Sequence, residues 1–266
     1  ESGAQLANLV GDGRLDLVLI GPNGVRLYAN TGSGFAAPVN VACNNGPLPV
    51  PGRDARELVA FADVLAAGSP QLLRVTFNQL TGWPDLGRGA FGAPLTFALD
   101  PLDEPAAFNP ARLYLADVSG AGGVDLLYAK ADGLRLYRNQ AGNGFDSPLT
   151  LPWPDGFLYD DSAELRFGDL AGHGAVSLLL SQRHGEPKHW RYDFLSGPAG
   201  LLSQIDNQCG RTIQLSYRSS AQYRLDDKQD DPDSISHLPF ALPLCNRVVD
   251  RDHLQRHRET ASYLYY

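Results

Sequence analysis

The chain has 266 residues, 43% of them hydrophobic and 20% charged, a globular composition that supports a sizeable core and excludes wholesale disorder. Its net charge of −8, from 22 Lys and Arg against 30 Asp and Glu with no basic run, excludes nucleic acid as an expected partner, since counterion release needs clustered cations. The most apolar stretch, Leu58 to Ala67, is too short to cross a bilayer and carries Asp63, so no transmembrane helix and no direct membrane insertion are expected.

The predicted elements begin with a repeat. Its first copy reads VGDGRLDLVLIGPNGVRLYANTGSGFAAP and ends at Pro38. Leu15, Leu17 and Leu19 alternate with Asp16, Val18 and Ile20, which predicts a short strand buried on both faces. After the Pro-Asn-Gly turn at 22–24, Val25 to Ala29 predicts its hairpin partner. The second copy carries Asp63, Gly68, Trp83 and an Ala-Phe-Gly-Ala-Pro closure ending at Pro94. The third reads VSGAGGVDLLYAKADGLRLYRNQAGNGFDSP and ends at Pro148, and a fourth supplies Asp169, Gly174, Trp190 and Pro198. Gly13, Gly68, Gly122 and Gly174 step by 55, 54 and 52 residues, and Tyr28, Trp83, Tyr137 and Trp190 by 55, 54 and 53. Markers kept in phase through four copies establish an internal repeat. Three or four short strands per unit of about 50–55 residues fit β-propeller blades, in which stacked sheets bury one another's faces. The 28 Gly and 19 Pro, spread along the chain, suit such strands and tight turns better than long helices.

The repeat resembles the FG-GAP or VCBS family of propeller blades. The residues that carry the likeness are GDGRLDLVLI at 11–20, ADVSGAGGVDLLYA at 116–129 and the Gly-Phe-x-x-Pro closures, so it covers roughly residues 4–200. The family's loops often carry Asp-x-Asp-x-Asp-Gly-x-x-Asp, a set of hard oxygens suited to calcium. The first copy offers Asn8, Val10, Asp12 and Asp16 at those positions, and the third offers Asp117, Ser119, Ala121 and Asp125. The second retains only Asp63, and the fourth has Asp169, His173 and Ser177. No copy is complete. The leading expectation is that each glycine fixes a turn and each aspartate caps backbone N–H groups, with weak calcium binding in the first or third copy as the alternative.

Beyond residue 200 the repeat stops and the antiparallel strands of a second β-domain are expected over 201–266. Ile213, Leu215 and Tyr217 alternate with polar neighbours after the Asn-Gln-Cys-Gly turn at 207–210, which predicts a half-buried strand. The five aspartates between Asp226 and Asp233 read as a solvated loop, and strand-like runs follow in LPFALPLCNRVVDRD and ETASYLYY. The fold class is thus all-β, with four blades over 1–200 and no convincing amphipathic helix. The first motif falls close to residue 1 and the chain has no Met, so the expectation is an excised stretch with further blades, and any export signal, outside it.

Catalytic constellations are thin. There is no Gly-x-Ser-x-Gly elbow and no phosphate-cradling loop. His253 and His257 lie four apart without the glutamate of a zinc-protease motif, and His184 and His189 flank a turn, so all four are expected as loop histidines. Arg218, Ser219 and Ser220 are only faintly similar to ADP-ribosyltransferase elements, and no Glu-x-Glu accompanies them. Cys43, Cys209 and Cys245 form neither a disulfide framework nor a zinc spacing, though one pair could bridge. No catalytic, cofactor-binding or metal residue is therefore assigned.

A narrower resemblance covers the tail. GLLSQIDNQCGRTIQLSYRSSAQYRLDD, then SHLPFALPLCNRVVDRD and SYLYY, are similar to the B component of bacterial insecticidal toxin complexes, with LPFALPLC departing from the family's usual Leu-Pro-Phe-Pro-x-x-Val-Val run. The resemblance implies a secreted bacterial, non-catalytic scaffold. In that family the propeller docks on the A-component channel and gates passage, while the following strands open an Rhs-like shell that the C component completes around an effector. The alternative is an integrin-like adhesion or carbohydrate-binding calcium propeller, and a propeller-borne enzyme stands third.

Overall fold

The computed structural model describes residues 4–43, 45–160, 162–172, 174–183, 187–235, 238, 241–254 and 258–263. Within them lie five antiparallel sheets and one α-helix. Sheet one is β1 (Ala4–Ala7), β2 (Asp16–Gly21), β3 (Gly24–Tyr28) and β4 (Val39–Ala42). Sheet two is β5 (Leu58–Ala62), β6 (Gln71–Val75), β7 (Gln79–Trp83) and β8 (Leu95–Ala98). Sheet three is β9 (Leu113–Ala116), β10 (Asp125–Lys130), β11 (Gly133–Tyr137) and β12 (Leu149–Leu151). Each is a meander in which every strand pairs with its neighbour in sequence. The fourth copy builds β13 (Ala163–Gly168), β14 (Ser177–Gln182) and β15 (Lys188–Asp193), and the tail builds β16 (Gln204–Asp206), β17 (Arg211–Ser219), β18 (Pro243–Asp252) and β19 (Arg258–Tyr263).

The turns explain the meanders. Gly21 pairs with Gly24, which leaves Pro22 and Asn23 as a two-residue loop. Gly24 has φ +151°, and a Cβ there would stand 2.1 Å from the Val41 carbonyl oxygen on β4, so only glycine lets the fourth strand close on the hairpin. Gly133 repeats the arrangement in sheet three, at φ +152° and 2.5 Å from the Leu151 oxygen. The Gly-Phe closures also recur as isolated bridges, Asn30 to Phe35, Asp85 to Phe91 and Asn139 to Phe145.

Two compact units divide the chain, one of residues 1–117 with 121–163 and one of 118–120 with 164–266. The first holds sheets one to three and two apolar cores. One core joins Val18, Ile20, Val25 and Leu27 of sheet one to Val59, Leu72 and Trp83 of sheet two. The other joins Leu73, Val75 and Leu80 of sheet two to Leu113, Leu126, Tyr128 and Tyr137 of sheet three. Successive residues of a strand point to opposite faces, so Leu72 and Leu73 serve different cores, and both are fully buried. Three readings of the sequence need correction. Leu15 lies outside β2 and is 53% exposed, while Leu17 and Leu19 are only half-buried; burial on both faces is instead the state of Leu126 to Ala129 in β10. The cross-strand partner of Leu178 is Tyr192, the position that Tyr28, Trp83 and Tyr137 occupy opposite Leu17, Leu72 and Leu126; the longer fourth hairpin displaces Trp190 from that place.

The third correction concerns the acidic stretch. Asp226, Asp227 and Asp230 lie in α1 (Ser220–Asp230), Asp231 caps its end and Asp233 follows in a turn. Ser219 starts the helix by accepting a hydrogen bond from the Ala221 N–H, and Ala221, Gln222, Arg224, Leu225 and Lys228 are good helix formers. None of the helix's residues is buried, so it has no apolar stripe for periodicity to reveal. In the same unit β17 pairs with β18 over nearly its whole length, with a register shift at Ser216/Tyr217 that leaves Asn246 without a direct partner. Leu73→Ala is expected to cost about 2–5 kcal/mol of stability by opening a cavity between two sheets. Leu6→Ala, at a side chain 56% exposed, is expected to change little; equal melting temperatures for the two variants would contradict the stacked core.

Candidate functional site

The loops that join the first and second strands of each sheet carry the repeat's polar signature. In the first, the Asp16 carboxylate is 1% exposed and accepts from the Leu9 and Val10 N–H groups at 3.0 Å each and from the Asn30 N–H at 2.9 Å. Asn8 accepts from the Gly11 N–H, and Asp12 from the Arg14 N–H. In the third, Asp117 accepts from Ala121 and Gly122, and the fully buried Asp125 from the Asn139 N–H at 2.8 Å. In the fourth, Asp169 accepts from Gly174. His173 lies outside the described residues, as do His184 and His257. The repeating glycine is left-handed in all four copies, φ +77° at Gly68 and +89° at Gly122, and in the last three its N–H turns back onto a carboxylate.

The second copy holds a residue that the sequence reading missed. Gln71 stands where Asp16 and Asp125 do, is 1% exposed, and its Oε1 accepts from Val64 at 2.8 Å and Leu65 at 3.1 Å. Its Nε2 donates to the Ser69 carbonyl and to Asp63, which also accepts from Ala67 and Gly68. A neutral amide thus does the carboxylate's work, and the spacing from Gly68 was the signal that could have found it. These oxygens satisfy loop N–H groups that burial would otherwise leave unpaired. A calcium ion at these loops would compete with those N–H donors for the same oxygens. Among the described residues, no three His, Cys, Asp or Glu side chains converge as a metal cage.

Polar stitches bind the stacked sheets at these loops. Val124 N–H donates to the Asp63 carbonyl, Asn139 Nδ2 to the Val64 carbonyl and the Arg88 N–H to the Leu9 carbonyl. Asn30 and Asn139 hold equivalent places: each carboxamide oxygen accepts from a nearby glycine N–H, and each Nδ2 donates to the carbonyl that precedes the buried aspartate. Asp85 holds that place in the second copy. It keeps the glycine contact, from Gly87 at 2.9 Å, but a carboxylate has no proton to donate. Burial raises its pKa and the Gly87 N–H opposes the rise.

Other titratable groups serve packing. Asp103 accepts from Lys130 Nζ at 3.0 Å and from the Tyr128 hydroxyl at 3.3 Å. Its burial pushes its pKa up, but Lys130, the Glu104 N–H and Tyr128 outweigh that and hold it below the usual carboxylate value. Tyr137 donates to the Pro101 carbonyl, and burial pushes its pKa up to about 12. His189 bonds Ser181 across β14 and β15, and His253 bonds Thr212. Arg218 pairs with Asp226 and lies over the Tyr223 ring at 4.6 Å, Ser219 caps α1, and Ser220 accepts from the Leu242 N–H, so this trio locks a helix start. All three cysteines are free.

The comparisons with known proteins bear on the whole chain. Residues 138–266 match the family described as the insecticide toxin TcdB middle/N-terminal region. A chain of the Photorhabdus luminescens Tc holotoxin pore is 42% identical over 96% of this chain and 12% of its own length, with a TM-score of 0.89. A chain of the TcdB2-TccC3 crystal structure is 38% identical over 91% of this chain and 12% of its own, at 0.78. An Agrocybe aegerita lectin is 16% identical over 97% of this chain and 65% of its own, at 0.54, a likeness of fold alone. No curated protein sequence matches. This chain spans about an eighth of the length of the toxin chains. The likenesses support kinship with the B component of Tc toxins and a toxin-complex subunit as the class to which the chain is related.

The capped loops give two expected outcomes. Asp125→Ala should cost about 1–3 kcal/mol by leaving the part-buried Asn139 N–H without its acceptor, while millimolar calcium leaves the melting temperature of the unsubstituted chain unchanged. A calcium-dependent rise of several degrees would show the loops to be metal sites. Asp85→Asn should stabilise at neutral pH. Because the folded state disfavours the ionised form, the penalty is complete above the raised pKa and disappears below the unfolded one. The gain should therefore shrink as pH falls through the carboxylate range, and a pH-independent effect would contradict the assignment.

Proposed function

We propose that the chain is a scaffold stretch of a secreted, non-catalytic toxin-complex B component. In this reading the sheets of residues 1–200 are propeller blades that dock on an A-component channel and gate passage through it. Residues 201–266 open the shell that a C component completes around its effector. The observation that carries the reading is the 42% identity, held over 96% of the chain, to a chain of a Tc holotoxin pore. The architecture supports it physically. The first three meanders share apolar cores, and their connecting loops lie at the sheet ends where a partner can reach them. The likeness to a TcdB2-TccC3 complex supports the C-component partnership. An adhesion propeller would depend on calcium loops, and the carboxylates at Asp16, Asp63 and Asp117 are already engaged by backbone donors.

The test is binding to a purified toxin-complex A channel by a polypeptide that carries this chain, with and without residues 1–200. Tight binding that is lost on deletion is expected. Equal binding by both forms, or by neither, would overturn the docking role of these sheets.

A further inference from the structure

Each repeat loop carries a second left-handed residue, two places before the repeating glycine: Gly11, Ala66, Gly120 and Gly172, at φ +84°, +52°, +68° and +67°. Gly11 has open space around it. In the other three copies this residue is where one stretch of chain meets the next. Ala66 lies against Gly123 of the third copy, where a Cβ would stand 3.3 Å from that of the alanine. Gly120 lies against Ala199, just beyond the fourth copy's closing Pro198, so closely that a Cβ there would overlap the alanine's. Gly172 is buried, and a Cβ there would overlap Ser219 Oγ and stand 3.0 Å from the Cβ of Ala241 and 3.2 Å from that of Ala221. The tail therefore meets the fourth loop at the same position at which the second and third loops meet the copies that follow them. Each of these contacts falls within one compact unit.

Ser219 is at once the last residue of β17 and the cap of α1, and the helix it starts is weak by itself. α1 has eleven residues and buries none of them, and isolated helices shorter than about 12–15 residues are marginal in water. Its charges also oppose the helix dipole. No acid stands in the first turn, while Asp227, Asp230 and the capping Asp231 crowd the C-terminal end around Lys228. What holds the helix lies at its start. Ser219 is 4% exposed and accepts from the Ala221 N–H. The Ser220 N–H donates to the Leu242 carbonyl and Ser220 Oγ accepts from the Leu242 N–H, both at 2.8 Å. Arg218 pairs with Asp226 across the first two turns. Gly172 seats directly on this cluster, so any displacement of the loop acts on the one place where α1 is secured.

We propose that Gly172 and Ser219 form a coupling joint that links the fourth repeat loop to the folding of α1. With Gly172 seated, Ser219 keeps its capping position and α1 forms. With the loop displaced, the cap is lost and the exposed helix unwinds. The joint gives the repeat region a conformational readout in the tail. It stands on contacts within the chain and does not depend on the toxin-complex reading.

The test is hydrogen exchange on the whole chain, read at the α1 amides of residues 224–231 and, as an internal reference, at β14. Gly172→Ala is expected to lower α1 protection at least about tenfold while β14 amides hold theirs. Gly174→Ala is the control: it has the same left-handed backbone, φ +74°, but open space around it, so it should leave α1 protection unchanged. Ser219→Gly vacates the contact and still caps acceptably, so the double variant with Gly172→Ala should recover α1 protection to within about threefold of Ser219→Gly alone. Coupling must also run in reverse. Arg224→Pro breaks the exposed helix without touching the joint, and should speed exchange of the Gly174 N–H, which Asp169 holds, by about threefold or more. This second direction decides the matter if Gly172→Ala fails to fold. Unchanged α1 protection in Gly172→Ala, an equal loss in Gly174→Ala, no recovery in the double variant, or unchanged Gly174 exchange in Arg224→Pro would each overturn the proposal.

Discussion

Burial of thin sheets against one another is the constraint on which the first three repeats depend. A four-stranded meander has no interior of its own, and its strands are only three to six residues long. It becomes stable when its faces meet other sheets, and β6 of the middle sheet shows the fullest case: Leu72 reaches one core and Leu73 the other. That demand fixes the period of the sequence, because a shifted register would turn every apolar side chain to the wrong face.

Stacking sheets closely forces their connecting loops against one another, and the backbone of those loops must then be satisfied without water. Asp16, Gln71 and Asp125 do this from inside the sheet, while Asn8, Asp63, Asp117 and Asp169 close the exposed tips of the same loops. The tips of these turns are closed by N–H donors on side-chain oxygens. Gln71 makes the point plainly, since an amide gives up the charge and keeps the acceptor. The Asn30, Asp85 and Asn139 series shows the converse: keeping the acceptor while losing the donor leaves a carboxylate in a partly buried place that suits an amide.

Much of this was legible in the sequence because the repeat writes itself in chemically irreplaceable residues. Glycines with positive φ and carboxylates that cap turns recur in phase, so the four copies and the capping loops could be read directly. The losses have separate physical causes. Gln71 was missed because hydrogen-bond acceptance does not require an aspartate. Trp190 keeps the constant spacing but not the place, because a longer hairpin moves the structural equivalent to Tyr192. The α1 helix was read as a loop because helix propensity and an N-cap, with no buried stripe, leave no periodic signal. That Arg191 and His189 take the places of Leu27 and Val25 in the fourth sheet becomes visible only with the register.

The likeness to Tc-toxin chains and the physical reading meet in the proposed scaffold role, with the loops of the stacked sheets as its contact surface. Its central claim is that the stacked sheets carry the contact with the A channel. Hydrogen exchange across residues 1–266, in a polypeptide bound to that channel and free, tests this most directly. The account predicts new protection concentrated in the loops of the repeat sheets, with β16 to β19 unchanged. Protection confined to β16–β19, with the repeat loops exchanging as in the free state, would contradict it.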